Sequence, residues 1–362
     1  METRLAPTHT PETLHQAVTA AVAELQAGNP VALPTETVYG LAADALRPGA
    51  VVKIFEAKER PLFDPLIVHL PSEDWLERIT AIPPRSRRLV EGLIRRFWPG
   101  PLTLVLPRRD NVPDLVSSGL PTVAVRMSAH PVFNSVCSAF GRPLAAPSAN
   151  RFGRISPTTA QHVMTELGGR IPLILNGGAT EYGLESTIVK VEGSVLRLLR
   201  AGPVTPEGLG SVWRSVKESQ AEIPNEVDVS EFFEKLGITF PAIPPSNEGL
   251  LIEAPGQLLT HYAPMTPMRL LPRPLDFVPP TASKRRLGLL AFSQAPAGKD
   301  FTQVEILSAT GDLREAAATL FAKMRSLDEG GLDLIYAEAV PETGLGIAIM
   351  DRLRKATVQN VQ

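Results

Sequence analysis

Val31-Ala32-Leu33-Pro34-Thr35-Glu36-Thr37-Val38-Tyr39-Gly40 decides the fold, because three apolar residues that read as a buried strand run straight into a polar turn. Upstream, residues 11–27 carry helical periodicity and stop at the Gly28-Asn29-Pro30 break, so helix gives way to strand there. The alternation continues downstream. Strands are predicted at Leu66–Leu70, Leu102–Leu106, Thr122–Arg126, Leu144–Ala146, Leu173–Leu175 and Thr187–Val191, with helices near 48–57, 84–97, 130–139 and 158–167. The pattern is that of an α/β domain with a mixed sheet, and the turn after Leu33 stands at the carboxyl end of a strand, where open α/β sheets bind ligands.

A chain of 362 residues is long enough for two cores. At 44% hydrophobic and 20% charged, its composition excludes disordered and collagen-like proteins. From Ser211 to Pro264 the texture changes, and PheProAlaIleProProSer at 240–246 can continue neither a helix nor a central strand, which predicts a linker over 211–264. Beyond it, Leu287–Phe292 and Leu332–Ala337 read as strands and Asp312–Leu327 and Leu345–Lys355 as helices of a small second α/β unit. Gly344-Leu345-Gly346 reads as a tight turn ahead of the last helix, since the third glycine of a dinucleotide fingerprint is missing.

The net charge of −2 excludes a generally basic nucleic-acid coat, but charge is unevenly placed. Between Arg85 and Arg154 stand eleven arginines and no lysine against three acids, whereas 211–264 holds eight acids against three basic residues. Solvated helix faces explain most of those arginines. The single cysteine, Cys137, rules out an internal disulfide and reads as a small buried hydrophobe. The N-terminus has no apolar signal core, and no run of about 18 apolar residues occurs, so the expected compartment is the cytoplasm with no membrane contact.

P-loop, GxSxG, HExxH and EF-hand motifs are missing. What remains is a series of hydroxyl-rich and basic turns beside apolar strands. Lys58-Glu59-Arg60-Pro61 leads through Asp64-Pro65 into Leu66-Ile67-Val68-His69; its cations suit phosphate oxygens, or equally a solvated helix cap, and His69 suits a ligand or a satisfied core position. Pro147-Ser148-Ala149-Asn150, with Arg151, Arg154 and Ser156 behind it, offers a backbone nest for an anion. Glu185-Ser186-Thr187 and Arg200-Ala201-Gly202 are polar strand ends, and Arg126, closing a buried strand, needs an anionic partner. Each by itself is an ordinary turn; their coincidence is what informs.

ProThrGluThrValTyrGly, LysGluArgPro with ProLeuIleValHis, TrpProGlyProLeuThr (98–103), ThrValAlaValArg, AlaProSerAlaAsn and GluSerThrIleVal follow one another in an order that resembles the YrdC-type threonylcarbamoyl-AMP synthases. The resemblance covers residues 10–210. It extends into Pro255-Gly256 and His261-Tyr262-Ala263-Pro264, similar to the interdomain linker of the long two-domain members, and into Gly344-Leu345-Gly346 and Asp351-Arg352-Leu353, similar to their C-terminal domain. It implies a YrdC-like twisted mixed sheet with flanking helices over 10–210, a linker acting as a lid over 211–264, and a smaller Rossmann-like α/β domain over 265–360. The implied reaction joins L-threonine, bicarbonate and ATP into threonylcarbamoyl-AMP and pyrophosphate, a nucleotidyl transfer with Mg²⁺ accompanying ATP.

Carried over by motif, Arg60, Thr122, Ser148, Ser156 and Arg200 match nucleotide-binding positions, with Lys58 and Asn150 completing that cradle. Lys58 and Arg60 would act catalytically by offsetting triphosphate charge. Thr37, His69, Arg126, Ala146 and Ser186 match the threonine pocket, Thr35 stands beside them, and Tyr262 matches a linker tyrosine that closes over the nucleotide. Asp64 stands where many relatives carry asparagine, so a cation must screen it from the triphosphate. Implied partners are a tRNA threonylcarbamoyl transferase that accepts the product and, weakly, tRNA itself. The alternative is an RNA-binding module of the same fold without synthase activity.

Overall fold

Thr10 opens the first helix: its hydroxyl accepts the Thr13 N–H while the Thr13 hydroxyl accepts the Thr10 N–H, and Pro11 occupies the first turn. That helix, α1 (Pro11–Gln26), feeds β2 (Val31–Leu33), whose Val31 and Leu33 face one side of a sheet and Ala32 the other. Both sides are covered, so the three-residue strand is wholly buried. The computed structural model describes residues 1–218, 252–258, 261–271, 285–295 and 301–358.

Among them a ten-stranded mixed sheet runs in the order β1 (Arg4–Pro7), β8 (Leu173–Asn176), β2, β3 (Gly40–Asp44), β7 (Leu144–Ala145), β4 (Ile67–His69), β6 (Thr122–Arg126), β5 (Leu102–Pro107), β9 (Thr187–Glu192), β10 (Val195–Arg200). One face packs Leu66, Val68, Leu104 and Val189 against α2 (Pro48–Lys58), α4 (Pro84–Phe97), α7 (Ala160–Leu167) and α8 (Pro206–Glu218); between α2 and α4 lies the short α3 (Asp74–Ile79). The opposite face is divided. Over β1, β8, β2 and β7 it carries α1 and α6 (Pro131–Phe140), after the one-turn α5 (Asp114–Ser117). Over β4, β6, β5 and β9 it is left to Ala254 and the chain that follows.

One strand, Val31–Leu33, is predicted from the sequence before Leu66 and none between Val191 and Ser211, so β1, β3 and β10 are additions. Gly40-Leu41-Ala42-Ala43-Asp44 and Arg4-Leu5-Ala6-Pro7 lack the β-branched residues that announce a strand. They are recruited by pairing, β3 antiparallel to β2 and β1 parallel to β8. The connector was expected to begin at Ser211, but α8 continues to Glu218, with Val212 buried against Gly92 of α4. The rest of that connector up to 251, including the 240–246 stretch, lies outside the described residues, as do 359–360 at the end of the second unit.

The second unit is a parallel four-stranded sheet in the order β11 (Met268–Leu271), β14 (Leu334–Glu338), β12 (Leu287–Ala291), β13 (Gln303–Ile306), covered by α9 (Leu313–Glu329) and α10 (Leu345–Thr357). Asp312 caps α9 through the N–H groups of Arg314 and Glu315, and Gly344, at φ 52°, turns the chain into α10, as the GlyLeuGly reading expected. Leu320, Phe321, Ile349 and Leu353 form one apolar cluster with Val38, Ile155 and Leu184 of the first unit and with Tyr262. The two sheets thus share a core. At its tightest point Gly183 (φ +66°) meets α9 where an added Cβ would stand 2.4 Å from the Ala318 carbonyl oxygen. Gly183→Ala should therefore lower stability by roughly 1–3 kcal/mol, read as a lower denaturant midpoint; an unchanged midpoint would show that α9 can move away freely.

Candidate active site

The turn after β2 builds itself first. Thr35 donates its hydroxyl proton to the Val38 carbonyl (2.7 Å) and accepts the N–H groups of Thr37 and Val38 at 3.1 and 3.2 Å, which locks the backbone of 35–38. Glu36 then points inward. Its carboxylate accepts from Arg126 Nη2 and from the Ser128 hydroxyl, while Arg126 Nη1 donates to Thr37 Oγ1 at 3.2 Å. The anionic partner that Arg126 requires is therefore Glu36, and Arg126 Nε keeps no hydrogen-bond partner. Register places His69 beside Arg126, with its ring 4.5 Å from that of Phe133 and its Nδ1 unpartnered.

A second group of cations lies close by. Glu59, in the left-handed region at φ 54°, ends α2, so Lys58 turns inward and donates to the carbonyls of Ser148 and Asn150. Arg60 pairs with Asp64 at 2.8 Å and donates to the carbonyls of Asp64 and Pro65 at 3.2 and 2.9 Å. Arg200 donates to the Ser186 carbonyl and hydroxyl, both at 3.0 Å, and to the Pro255 carbonyl at 3.3 Å; the Ser186 hydroxyl also meets Thr103. Ser156 donates to Glu185. Buried Lys58, Arg60, Arg126 and Arg200 stand here with buried Glu36, Asp64 and Glu185, and burial together with the Arg60 charge holds Lys58 well below the ordinary lysine value, so an entering polyanion would favour its charged form.

Thr35, Thr37, Arg60, His69, Arg126, Ala146, Ser148, Ser186, Arg200 and Tyr262 all line one chamber. Lys58, Asp64, Asn150 and Ser156 stand directly behind that lining. Thr122 does not reach it: it is half-buried at the start of β6, roughly 13 Å along the strand from Arg126. It shares a face with Arg126, and Ile67, Ala124, Ile188 and Leu199 form an apolar strip on that face beneath Ala254. The chamber thus sits on the sheet's face. It opens where strands end, as expected from the sequence: Thr35 and Thr37 follow β2, His69 and Arg126 close β4 and β6, and Arg200 closes β10.

Tyr262, buried and at φ 63°, closes the chamber with His261, and together they leave a cavity of only about 40 Å³. Sequence reasoning assigned no role to Glu36 or Glu185; the signal for both was the need of buried arginines for carboxylates. Cys137 lies on the buried face of α6, where burial pushes its thiol up to about 12, which removes it as a nucleophile.

Burial holds His69, His130, His162 and His261 below the ordinary histidine value of 6.5, with Arg126 adding to the effect at His69 and Arg60 at His261. Because the folded values lie below the unfolded one, the unfolded chain binds more protons under pH 6.5. Stability is therefore retained above that pH and lost as pH falls, by roughly 1.4 kcal/mol per pH unit for each of the buried His69 and His261 and by less for the half-buried His130 and His162, which water screens. Thermal midpoints should drop between pH 7.5 and 5.5; level midpoints would mean that these rings titrate as they do in water.

A family described as "Telomere recombination" (Sua5/YciO/YrdC) matches residues 23–202, and one described as "Threonylcarbamoyl-AMP synthase, C-terminal domain" matches residues 228–358. A threonylcarbamoyl-AMP synthase of Pyrococcus abyssi is 38% identical over 92% of this chain and 92% of its own length. One of Bacillus subtilis is 38% identical over 93% and 91%. The crystal structure of P. abyssi Sua5 complexed with L-threonine superposes with a TM-score of 0.82 at 36% identity, covering 99% of this chain and 98% of that one.

Proposed function

The chain belongs to the Sua5/YrdC family, and on that premise we propose that its chamber joins L-threonine, bicarbonate and ATP into threonylcarbamoyl-AMP, water and pyrophosphate. It is a threonylcarbamoyl-AMP synthase. One observation carries the assignment of the site: a guanidinium flanked by a threonine hydroxyl and a neutral imidazole shares a single buried chamber with a second cluster of cations.

The threonine carboxylate takes the fork of Arg126, with Thr37, His69, Ala146 and Ser186 around its side chain and Thr35 holding the turn. Its amine and bicarbonate condense to a carbamate with loss of water. A carbamate oxygen then attacks the α-phosphorus, the bond from that phosphorus to the bridging oxygen breaks, and pyrophosphate leaves with the negative charge. The chain's task is alignment and charge neutralisation, for which Lys58, Arg60 and Arg200 with Ser148, Asn150 and Ser156 serve, and no covalent intermediate is needed. The base lies along the apolar strip that leads to Thr122.

Mg²⁺ enters with the nucleotide as part of the substrate. Among the described residues no group of three or more His, Cys, Asp or Glu is assembled that could hold a resident metal ion. Asp64, whose carboxylate meets Arg60 but makes no hydrogen bond, fits an outer contact to such an ion through water. A cavity of about 40 Å³ holds a few water molecules and no nucleotide, so Tyr262 and His261 must swing out for substrates to enter.

We place the protein in the cytoplasm; among the described residues no helix is long and apolar enough to cross a membrane. Its product passes to a tRNA threonylcarbamoyl transferase, and a weak tRNA contact would use the exposed Arg85, Arg87, Arg88, Arg95 and Arg96 of α4. The test is incubation with ATP, Mg²⁺, bicarbonate and L-threonine. Pyrophosphate release that requires both threonine and bicarbonate, with an adenylate of the expected mass, supports the reading; release without threonine, or none, refutes it.

A further inference from the structure

Arg352 belongs to α10 in the second unit, yet its side chain is wholly enclosed beside the chamber wall of the first. Its Nε donates to Glu185 Oε2 at 3.0 Å, and the other Glu185 oxygen accepts from Ser156. Its Nη1 pairs with Asp351 at 2.7 Å, and its guanidinium carbon stands 5.2 Å from the centroid of the Tyr262 ring. One turn on, Lys355 donates to the Gly256 carbonyl at 2.7 Å. A single helix of the second unit thus grips three parts of the chamber wall: Glu185, Gly256 and Tyr262.

Stability alone does not call for this arrangement. The surrounding interface is an apolar cluster that already holds the units together, and a buried ion pair is on balance no stronger than well-packed apolar side chains, because both charges must be desolvated. What the ion pair adds is direction. It sets the Glu185 carboxylate against Ser156, in the turn proposed for phosphate binding, and it holds the Tyr262 ring in place.

We propose that Arg352 is a positioning residue of the synthase reaction, acting through Glu185 and Tyr262, so that the nucleotide half of the site is complete only when the second unit is docked. This rests on the functional reading above. The test compares the full-length wild type with Arg352→Met, Arg352→Lys, Glu185→Gln and the double variant Arg352→Met/Glu185→Gln, reading kcat and both KM values by pyrophosphate release and the unfolding midpoint alongside.

Arg352→Met should raise KM for ATP and lower kcat, together by roughly tenfold or more, the effect of one hydrogen bond to a charged group, with a smaller change in KM for threonine. Glu185→Gln should give the same pattern, the double variant should add little to either, and Arg352→Lys should recover part of the loss. ATP kinetics at the wild-type level in Arg352→Met would overturn the proposal, as would fully additive losses in the double variant. Should Arg352→Met not fold, Arg352→Lys decides: it must show the ATP-selective loss. An inactive wild type would instead overturn the functional reading, and this inference with it.

Discussion

Arg60→Ala is expected to abolish ATP use. Arg60 stands at the chamber with its guanidinium braced by the Asp64 carboxylate and by the carbonyls of Asp64 and Pro65. Loss of this fork removes a charge-assisted contact to phosphate exactly where negative charge builds up on the leaving group, so kcat/KM for ATP should fall by about 10³-fold or more. The same change leaves Asp64 buried beside Lys58 without its ion-pair partner, which costs about 3–5 kcal/mol of stability. Burial already raises the Asp64 carboxyl above its usual value, and Arg60 and Lys58 oppose that rise. The control is Arg60→Met/Asp64→Asn, which removes both charges together. Its unfolding midpoint should return toward wild type while pyrophosphate release stays lost; turnover restored by that pair would show that Arg60 serves the fold and not the reaction.

Arg126→Ala should act on the other substrate. Two charge-assisted hydrogen bonds to the threonine carboxylate, each worth about 1.5–3 kcal/mol, correspond to a rise in KM for threonine of roughly 10²- to 10⁴-fold, with KM for ATP little changed. Glu36 sharpens the test. With the guanidinium gone, its carboxylate faces the incoming carboxylate directly, and like charges at that range repel. Arg126→Ala/Glu36→Gln should therefore bind threonine better than Arg126→Ala alone, although still far below wild type. If both substrates suffered equally, the division of the chamber into a threonine end and a nucleotide end would be wrong.

Much of this site is legible in the chain because its parts are local. The turn 34–40, the Lys58–Arg60 corner, Ser148–Asn150 and Ser186 each announce themselves by small polar or basic residues against an apolar strand. Thr122 is the instructive departure. The motif that carries it also carries Arg126, but strand geometry separates the two by four residues, and only the apolar strip beneath Ala254 connects them. Strands β1 and β3 were hidden for the opposite reason: their residues carry little β-propensity, and it is their neighbours that make them strands.

From the sequence alone followed the alternation of helix and strand, the division into two α/β units, the polar turns, and the demand that Arg126 meet an anion, since these depend on periodicity and on the cost of burying a charge. Which anion it meets was decided by the tertiary structure. Glu36 is 90 residues from Arg126, and Glu185 is 167 from Arg352. No local pattern links such pairs; they come together because sheet register sets His69 beside Arg126 and because the two units share an apolar core that carries α10 to the wall of the chamber.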